Sequence, residues 1–334
     1  MGFLYSQFFV TPKIPTTPLN GQTLIITGSN TGLGFEAARH IARLNPTKLI
    51  LAVRNLEAGA KARDEIIATT SCDPSIIEVW RLDLASFSSV LAFADRVSKD
   101  LDRLDGISLN AGVQTVKFEL VEGFERTVTI NVISTFLLAL AVLPKLRETA
   151  RRFNIKPRLS IVSSETHAWT SFVEKNTPEG QSILATLSDP NTKTMMMRYM
   201  TSKLMEVLLF RHLAPLITAQ QTSPSSPEEQ RGEVIVNILN PGFCYSDLVR
   251  EEGILMKTMQ ALLARTREMG GRPIAAGLIA GPESNGMYMH DGVVDQAALS
   301  HFVLSEEGEK CAERLWLEVK EALEGVRKGV TLGL

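Results

Sequence analysis

"TLIITGSNTGLG", Thr23–Gly34, is an apolar run that ends in a glycine-rich turn, and "FEAARHIARL" behind it carries a helical apolar stripe. A buried strand that feeds a glycine turn and then a helix is the local pattern of a phosphate-binding α/β unit. Gly28 would permit the tight turn, Gly32 a close backbone approach to a pyrophosphate, and Gly34 close packing of helix on sheet. Ser29, Asn30, Thr31 and Leu33 complete the candidate loop, at a helix N-terminus that would stabilise negative charge. The spacing is G-x-x-x-G-x-G rather than G-x-G-x-x-G, and a glycine-rich turn that holds no ligand is the bland alternative.

Outward from this unit, short β-branched runs alternate with helix-length segments. "KLILAV" (Lys48–Val53), "EVWRLDL", "DGISLN", "RLSIVSS" and "EVIVNILNPG" are the further strands. Continuous apolar strands with helices between them predict a doubly wound, Rossmann-type α/β fold, a parallel sheet covered on both faces. Residues 1–20 read as an N-terminal extension and residues 21–334 as one domain. Insertions near 165–198 and 247–284 start beyond strand carboxyl ends, where open α/β sheets bind ligands, and are expected to wall a substrate pocket. Ala219–Gly232, "AQQTSPSSPEEQRG", is polar and expected to be a mobile surface loop.

Composition narrows the function classes. The 334 residues are 44% hydrophobic and 22% charged, enough apolar material for a sizeable core. A formal charge of −2 gives no electrostatic reason for a nucleic-acid partner. Cys72, Cys244 and Cys311 are scattered, so neither a disulfide framework nor a thiolate metal site is expected, and the five histidines show no metal-ligand spacing. A reducing, cytoplasmic setting follows. The apolar "MGFLYSQFFV" is too short to span a bilayer and reads as a segment folded back over the domain, with a weak membrane-surface contact as the sharper alternative. "TFLLALAVLPKL", interrupted by Pro144, reads as a buried helix.

At the adenine end, an NAD site commonly places an acid on the ribose about twenty residues past the loop. Here "LAVRN" offers Val53 and then Arg54, so no carboxylate repels a 2′-phosphate and a guanidinium is placed to bind one. NADP(H) is therefore favoured over NAD(H); a solvated strand-end charge is the plainer account of Arg54. Asp83, followed by Leu84, ends the next strand and could accept from the adenine amino group or cap the following helix.

"YMTSK" puts Tyr199 and Lys203 one turn apart on a helix face, a spacing that arises easily by chance. Its neighbours change those odds. "TGSNTGLG", "LNAG" (Leu109–Gly112), "INVIST" (Ile130–Thr135), "IVSSETH", "YMTSK" and "NPGFCYS" come in the order of the short-chain dehydrogenase/reductase family, which the chain resembles over nearly its whole length. "LAVRN", "GMYMHDG" and "CAERLWLEV" most resemble its retinol-dehydrogenase-like branch.

The resemblance implies roles. Tyr199 would be the general acid that protonates a carbonyl oxygen as hydride arrives from NADPH, or the base in reverse. A phenol's ordinary pKa near 10 is too high for efficient exchange at neutral pH, and Lys203 would supply charge favouring the phenolate, while also donating to the nicotinamide ribose. Ser164, rather than Ser163, would bond the substrate oxygen. Asn131 would hold a water linking Lys203 to solvent, or simply bond its own backbone. Asn110, Ala111 and Gly112 would border the adenosine ribose or serve a tight strand end, or both. Pro241 and Gly242 would turn the chain over the nicotinamide, and Ser246, where threonine is common, would bind its carboxamide. Leu109 replaces the first asparagine of the family's N-N-A-G, a change expected to be tolerated. His167 is expected to be a packed histidine rather than a base. Met195–Met197 are expected to line an apolar pocket or to serve the core. The implied reaction interconverts a carbonyl and an alcohol on an apolar small molecule of lipid, retinoid, terpenoid or polyketide type. A non-redox enzyme on the same scaffold and a cofactor-sensing binding protein are the rivals, and a homo-oligomer is compatible with either.

Overall fold

The computed structural model describes residues 3–192, 194–219, 232–245, 260 and 263–334. Chain order runs α1 (Phe3–Phe9), β1 (Thr23–Thr27), α2 (Gly32–Ala42), β2 (Lys48–Val53), α3 (Leu56–Thr70), β3 (Ile77–Arg81), α4 (Phe87–Asp100) and β4 (Gly106–Leu109). A two-residue-per-strand hairpin, β5 (Leu120–Val121) and β6 (Phe124–Glu125), leads through a π-turn at Val128–Ile133 into α5 (Ser134–Phe153). Then follow β7 (Arg158–Val162), α6 (Ile183–Leu187), α7 (Arg198–Ala219), β8 (Ile235–Asn240), α8 (Arg267–Leu278), β9 (Met287–His290), β10 (Val293–Val294) and α9 (Glu306–Val326).

The main sheet has the order β10-β9-β8-β7-β4-β1-β2-β3. Every neighbouring pair is parallel except β9 with β10. The order reverses between β1 and β4, so the carboxyl ends of these strands open a crevice. Burial explains why the strands read as unbroken apolar runs: β1, β4 and β8 are buried at every position. Successive side chains serve opposite faces. Leu24 and Ile26 join the core under α2, α3 and α8 with Ile41, Ile66, Ile274 and Leu278. Ile25 joins the other core, with Phe93 of α4, Phe136 of α5, Leu208 of α7 and Trp316 of α9.

The six strands expected from sequence are all present, and β9, β10 and the β5–β6 hairpin are additions. β9 lies inside "GMYMHDG" and is only four residues long, too short for its alternation to stand out from the glycines around it. The apolar stretch with Pro144 is indeed a helix, α5. The segment Val128–Phe153 is long and apolar enough to cross a membrane, but 89% of its apolar window is buried inside the protein. The polar stretch at 220–231 and the first part of the insertion after residue 246, namely 246–259 and 261–262, lie outside the described residues.

The N-terminal segment folds back over the domain with its polar side inward. Ser6 donates to Asp291, and Gln7 donates to the carbonyls of Phe243 and Leu263. Leu4, Tyr5, Phe8 and Phe9 face outward and are exposed.

Helix α8 lies on α2 at backbone distance through Gly271. A Cβ on Gly271 would sit 2.6 Å from Glu36 Cβ and 2.8 Å from the Ala37 amide nitrogen. This crossing is closed by backbone, not by flexible side chains, so Gly271→Ala is expected to cost about 1–3 kcal/mol as overpacking. Urea-induced unfolding checks it.

Candidate active site

The glycine turn closes against the end of β4. Gly28 has φ +67°, and a Cβ there would lie 2.9 Å from Ala111 Cα, so both conformation and space require glycine. Thr27 Oγ1 accepts from the Asn110 and Ala111 amides, and Asn110 Nδ2 donates to the Thr27 carbonyl at 2.9 Å. The Asn110 side chain is thus spent on tying strand end to turn. A Cβ on Gly34 would meet Asn110 Nδ2 and the Gly28 carbonyl, so Gly34 is required for helix–sheet contact. Gly32, φ +63°, differs: a Cβ there would meet nothing. That open space above the first turn of α2 fits a pyrophosphate on the helix N-terminus. Ser29 is buried and donates to the Ile26 carbonyl, a loop-shaping role. Leu33 packs toward Gly270 of α8. Asn30 and Thr31 stand at the rim of the loop, half-buried and exposed respectively.

At the end of β2, Val53 is buried and Arg54 is exposed. At the end of β3, Asp83 accepts from the Ala85 amide and does not cap α4; Ser86 does that, accepting from Ser89. Leu84 is buried, and its carbonyl accepts from Ser134.

The reacting cluster sits at the carboxyl ends of β4 and β7. A Cβ on Gly112 would come within 3.2 Å of Asn131 Oδ1 and 3.8 Å of Lys203 Nζ. The glycine turn, the β4 end, Asn131 and Lys203 therefore form one continuous surface. Lys203 is buried; its Nζ donates to the Val162 carbonyl at 3.0 Å and to both oxygens of Glu206, at 2.8 and 3.1 Å. It stands 5.8 Å from the centre of the Tyr199 ring. Burial pushes the Tyr199 phenol above its ordinary value, Lys203 pulls it down, Glu206 raises it and the Ser164 hydroxyl lowers it. Ser163 turns away and donates to the Lys203 carbonyl at 3.1 Å.

Asn131 sits in the π-turn, and its side chain does not bond its own helix. Its Oδ1 accepts from Val113 N at 2.8 Å, and its Nδ2 donates to Val113 O at 3.0 Å and to Ser202 Oγ at 2.9 Å. Asn131 thereby clamps the segment after Gly112 to the tyrosine helix. His167 is buried, as expected of a packed histidine. Ser300 N donates to its Nε2, which leaves Nδ1 to donate to the Ser164 carbonyl at 2.8 Å. This fixes a neutral ring and removes it as a free base, and burial lowers its pKa further. Met195–Met197 do not serve the core: none is buried and Met196 is three-quarters exposed.

Past β8, Gly242 has φ +79°, and a Cβ there would lie 2.8 Å from Arg265 Nη1. Pro241 precedes it, and its carbonyl accepts from the Cys244 thiol. Ser246 lies outside the described residues. Burial pushes the Cys244 thiol up to about 12, so it is no nucleophile. All three cysteines are free and buried, and no cluster of metal-ligating side chains occurs among the described residues.

Several participants escaped the sequence reading. Arg265, buried beneath the Gly242 turn, pairs with Asp291 and donates to the carbonyls of Ser6 and Val10. Partners more than 250 residues apart leave no local signal. Arg198, fully buried beside Tyr199, lies between Glu125 and Glu174 at 3.6 and 3.5 Å and joins the β5–β6 hairpin to the segment before the tyrosine helix. Glu206 was legible as a residue three past Lys203, one turn along the same face, but helical surface pairs of that kind are common.

Three comparisons bear on this geometry. Residues 22–155 match the family model described as short chain dehydrogenase. The chain is 42% identical to the short chain dehydrogenase/reductase dmxR8 of Cryptosporiopsis sp., covering 99% of each chain. It is also 42% identical to the short-chain dehydrogenase anuD of Penicillium roqueforti, over 99% of this chain and 85% of that one. Among solved structures it is similar to a short chain dehydrogenase from Shigella flexneri complexed with NADP, with TM-score 0.55, 22% identity and coverage of 83% and 99%.

Glu165, next to Ser164, is held neutral up to about 7 by burial, with Asp291 adding to the rise and Arg265 opposing it. Its carboxyl stays protonated in the folded protein above the ordinary 4.5. Stability is therefore highest below 4.5 as far as this group is concerned, and falls as pH climbs toward 7. Glu165→Gln is expected to raise the melting temperature at pH 8 relative to wild type and to leave it unchanged near pH 4, as thermal melts across pH would reveal.

Proposed function

The chain belongs to the short-chain dehydrogenase/reductase family, and on that premise we propose that it is an NADP(H)-dependent reductase of carbonyl groups on apolar small molecules. The observation that carries this reading is the placement of Lys203 Nζ. It lies beside Gly112 and Asn131, on the same side of the sheet as the Gly28 turn and one helical turn from Tyr199.

The residues present fit a dinucleotide. Gly32 opens space above the α2 N-terminus for a pyrophosphate, and Val53 with Arg54 gives a 2′-phosphate a guanidinium in place of a carboxylate. Gly28, Asn110, Ala111 and Gly112 form the floor, Asp83 and Leu84 the adenine side, and Pro241 and Gly242 the nicotinamide side, with Ser246 assigned to the carboxamide. NADPH, when bound, supplies the hydride.

The chain's own residues manage the proton. Tyr199 donates its phenolic hydrogen to the developing alkoxide, and the Ser164 hydroxyl stabilises that oxygen as its charge grows. The Lys203 ammonium stabilises the tyrosinate that remains. Asn131 fixes the wall behind Lys203, through Val113 and Ser202, so that the ammonium cannot drift from the phenol. The substrate is assigned as apolar because the segments flanking the site carry Met195, Met197 and Phe243, none of them packed into the core. We place the enzyme in the cytoplasm, where three unpaired thiols are at home.

Tyr199→Phe is expected to lower NADPH-dependent turnover of an apolar ketone panel by about 100-fold or more, the size of a lost general acid; nicotinamide absorbance reads it, and undiminished turnover would remove the mechanism. Arg54→Ala is expected to weaken NADPH binding by about tenfold or more while sparing NADH, in fluorescence titrations of the folded protein. Equal losses for both cofactors would show that Arg54 does not read the 2′-phosphate.

A further inference from the structure

Glu206 is buried to 2% exposure, and Lys203 to 4%, and the two side chains meet in a bidentate contact at 2.8 and 3.1 Å. Among the described residues no other carboxylate acts on this ammonium: Lys203 feels Glu206 and Tyr199. The other charged groups nearby are engaged elsewhere. On α7, Arg198 lies between Glu125 and Glu174. After β7, Glu165 interacts with Asp291 and Arg265. The groups contributed by other elements, Ser163 and Ser164 after β7, the Val162 carbonyl of β7, and Asn131 in the π-turn, carry no charge. Within the described residues, Tyr199, Lys203 and Glu206 are thus an isolated electrostatic triad.

Among the described residues, Lys203 is the positive charge that acts on Tyr199, and a carboxylate in bidentate contact cancels much of its field at the phenol. We infer that Glu206 is a positioning residue that holds Lys203 from below and offsets its charge, so that Tyr199 stays a protonated phenol and the site is set for carbonyl reduction. This inference rests on the proposed role of Tyr199. One further feature agrees with it: Glu206 raises the Tyr199 pKa.

The test compares Glu206→Gln, which keeps shape and removes charge, with Glu206→Asp, which keeps charge and changes shape. Two quantities are read. The first is the titration of Tyr199 by phenolate absorbance in the cofactor-free protein, isolated from the other three of its four tyrosines by subtracting Tyr199→Phe. The second is the pH profile of kcat/KM for reduction and for oxidation. Glu206→Gln should lower the Tyr199 titration by about one unit or more and shift the alkaline limb of reduction to lower pH by the same amount. Oxidation, which needs the phenolate, should then gain about tenfold relative to reduction at neutral pH. Glu206→Asp should titrate like wild type. An unmoved titration in Glu206→Gln, or a lowered one in Glu206→Asp, overturns the inference; if Glu206→Gln does not fold, the Asp variant decides alone. Turnover that survives Tyr199→Phe would instead defeat the proposed function while leaving the titration result standing.

Discussion

An ammonium sealed inside the protein is costly unless it is paired, and the arrangement around Lys203 is organised by that requirement. Its partners are one carbonyl from the end of β7 and one carboxylate from its own helix. Meeting them fixes α7 against β7, and with it the Tyr199 ring, whose centre stands 5.8 Å from the ammonium. Ser163, donating to the Lys203 carbonyl, and Asn131, donating to Ser202, hold the same helix from two more directions.

The second constraint is steric. Two glycines, Gly28 and Gly34, bring turn, helix and the β4 end so close that any side chain would collide with backbone or with Asn110. Gly32 alone is kept open toward the crevice. Gly28 meets a conformational and a packing need together, Gly34 a packing need and Gly32 a conformational one, and the space above Gly32 suits a doubly charged ligand. On the far side of the crevice, Arg265 supports the Gly242 turn from beneath and is itself held by Asp291 and by the carbonyls of the N-terminal segment. The N-terminal residues are therefore part of the frame of the site, with their apolar side chains turned outward.

Much of this was legible from residues alone, for physical reasons. Strands buried on both faces leave apolar runs, so β1, β2, β4, β7 and β8 announced themselves. Glycines at positive φ punctuate such runs, which exposed the loop at Gly28 and Gly32. Tyr199 and Lys203 could be placed on one helix face by period, and Leu109, standing where the family has asparagine, is a core residue, 4% exposed. What stayed hidden depends on partners far away in sequence. The clamp from Asn131 to Val113 needs a π-turn that no propensity predicts, and Asp83 bonds locally at Ala85 where a helix cap was equally plausible. The methionines at 195–197 look like core by composition, yet the chain leaves them at the surface beside the tyrosine helix.

Label transfer tests the central claim most directly. With NADPH deuterated at the transferring position and acetophenone as an apolar carbonyl probe, the account predicts deuterium on the carbinol carbon of the product and loss of that label from the cofactor, with the hydroxyl hydrogen drawn from solvent. A product formed without deuterium at that carbon, or formed while the cofactor keeps its label, would mean that the tyrosine–lysine pair serves some chemistry other than hydride transfer.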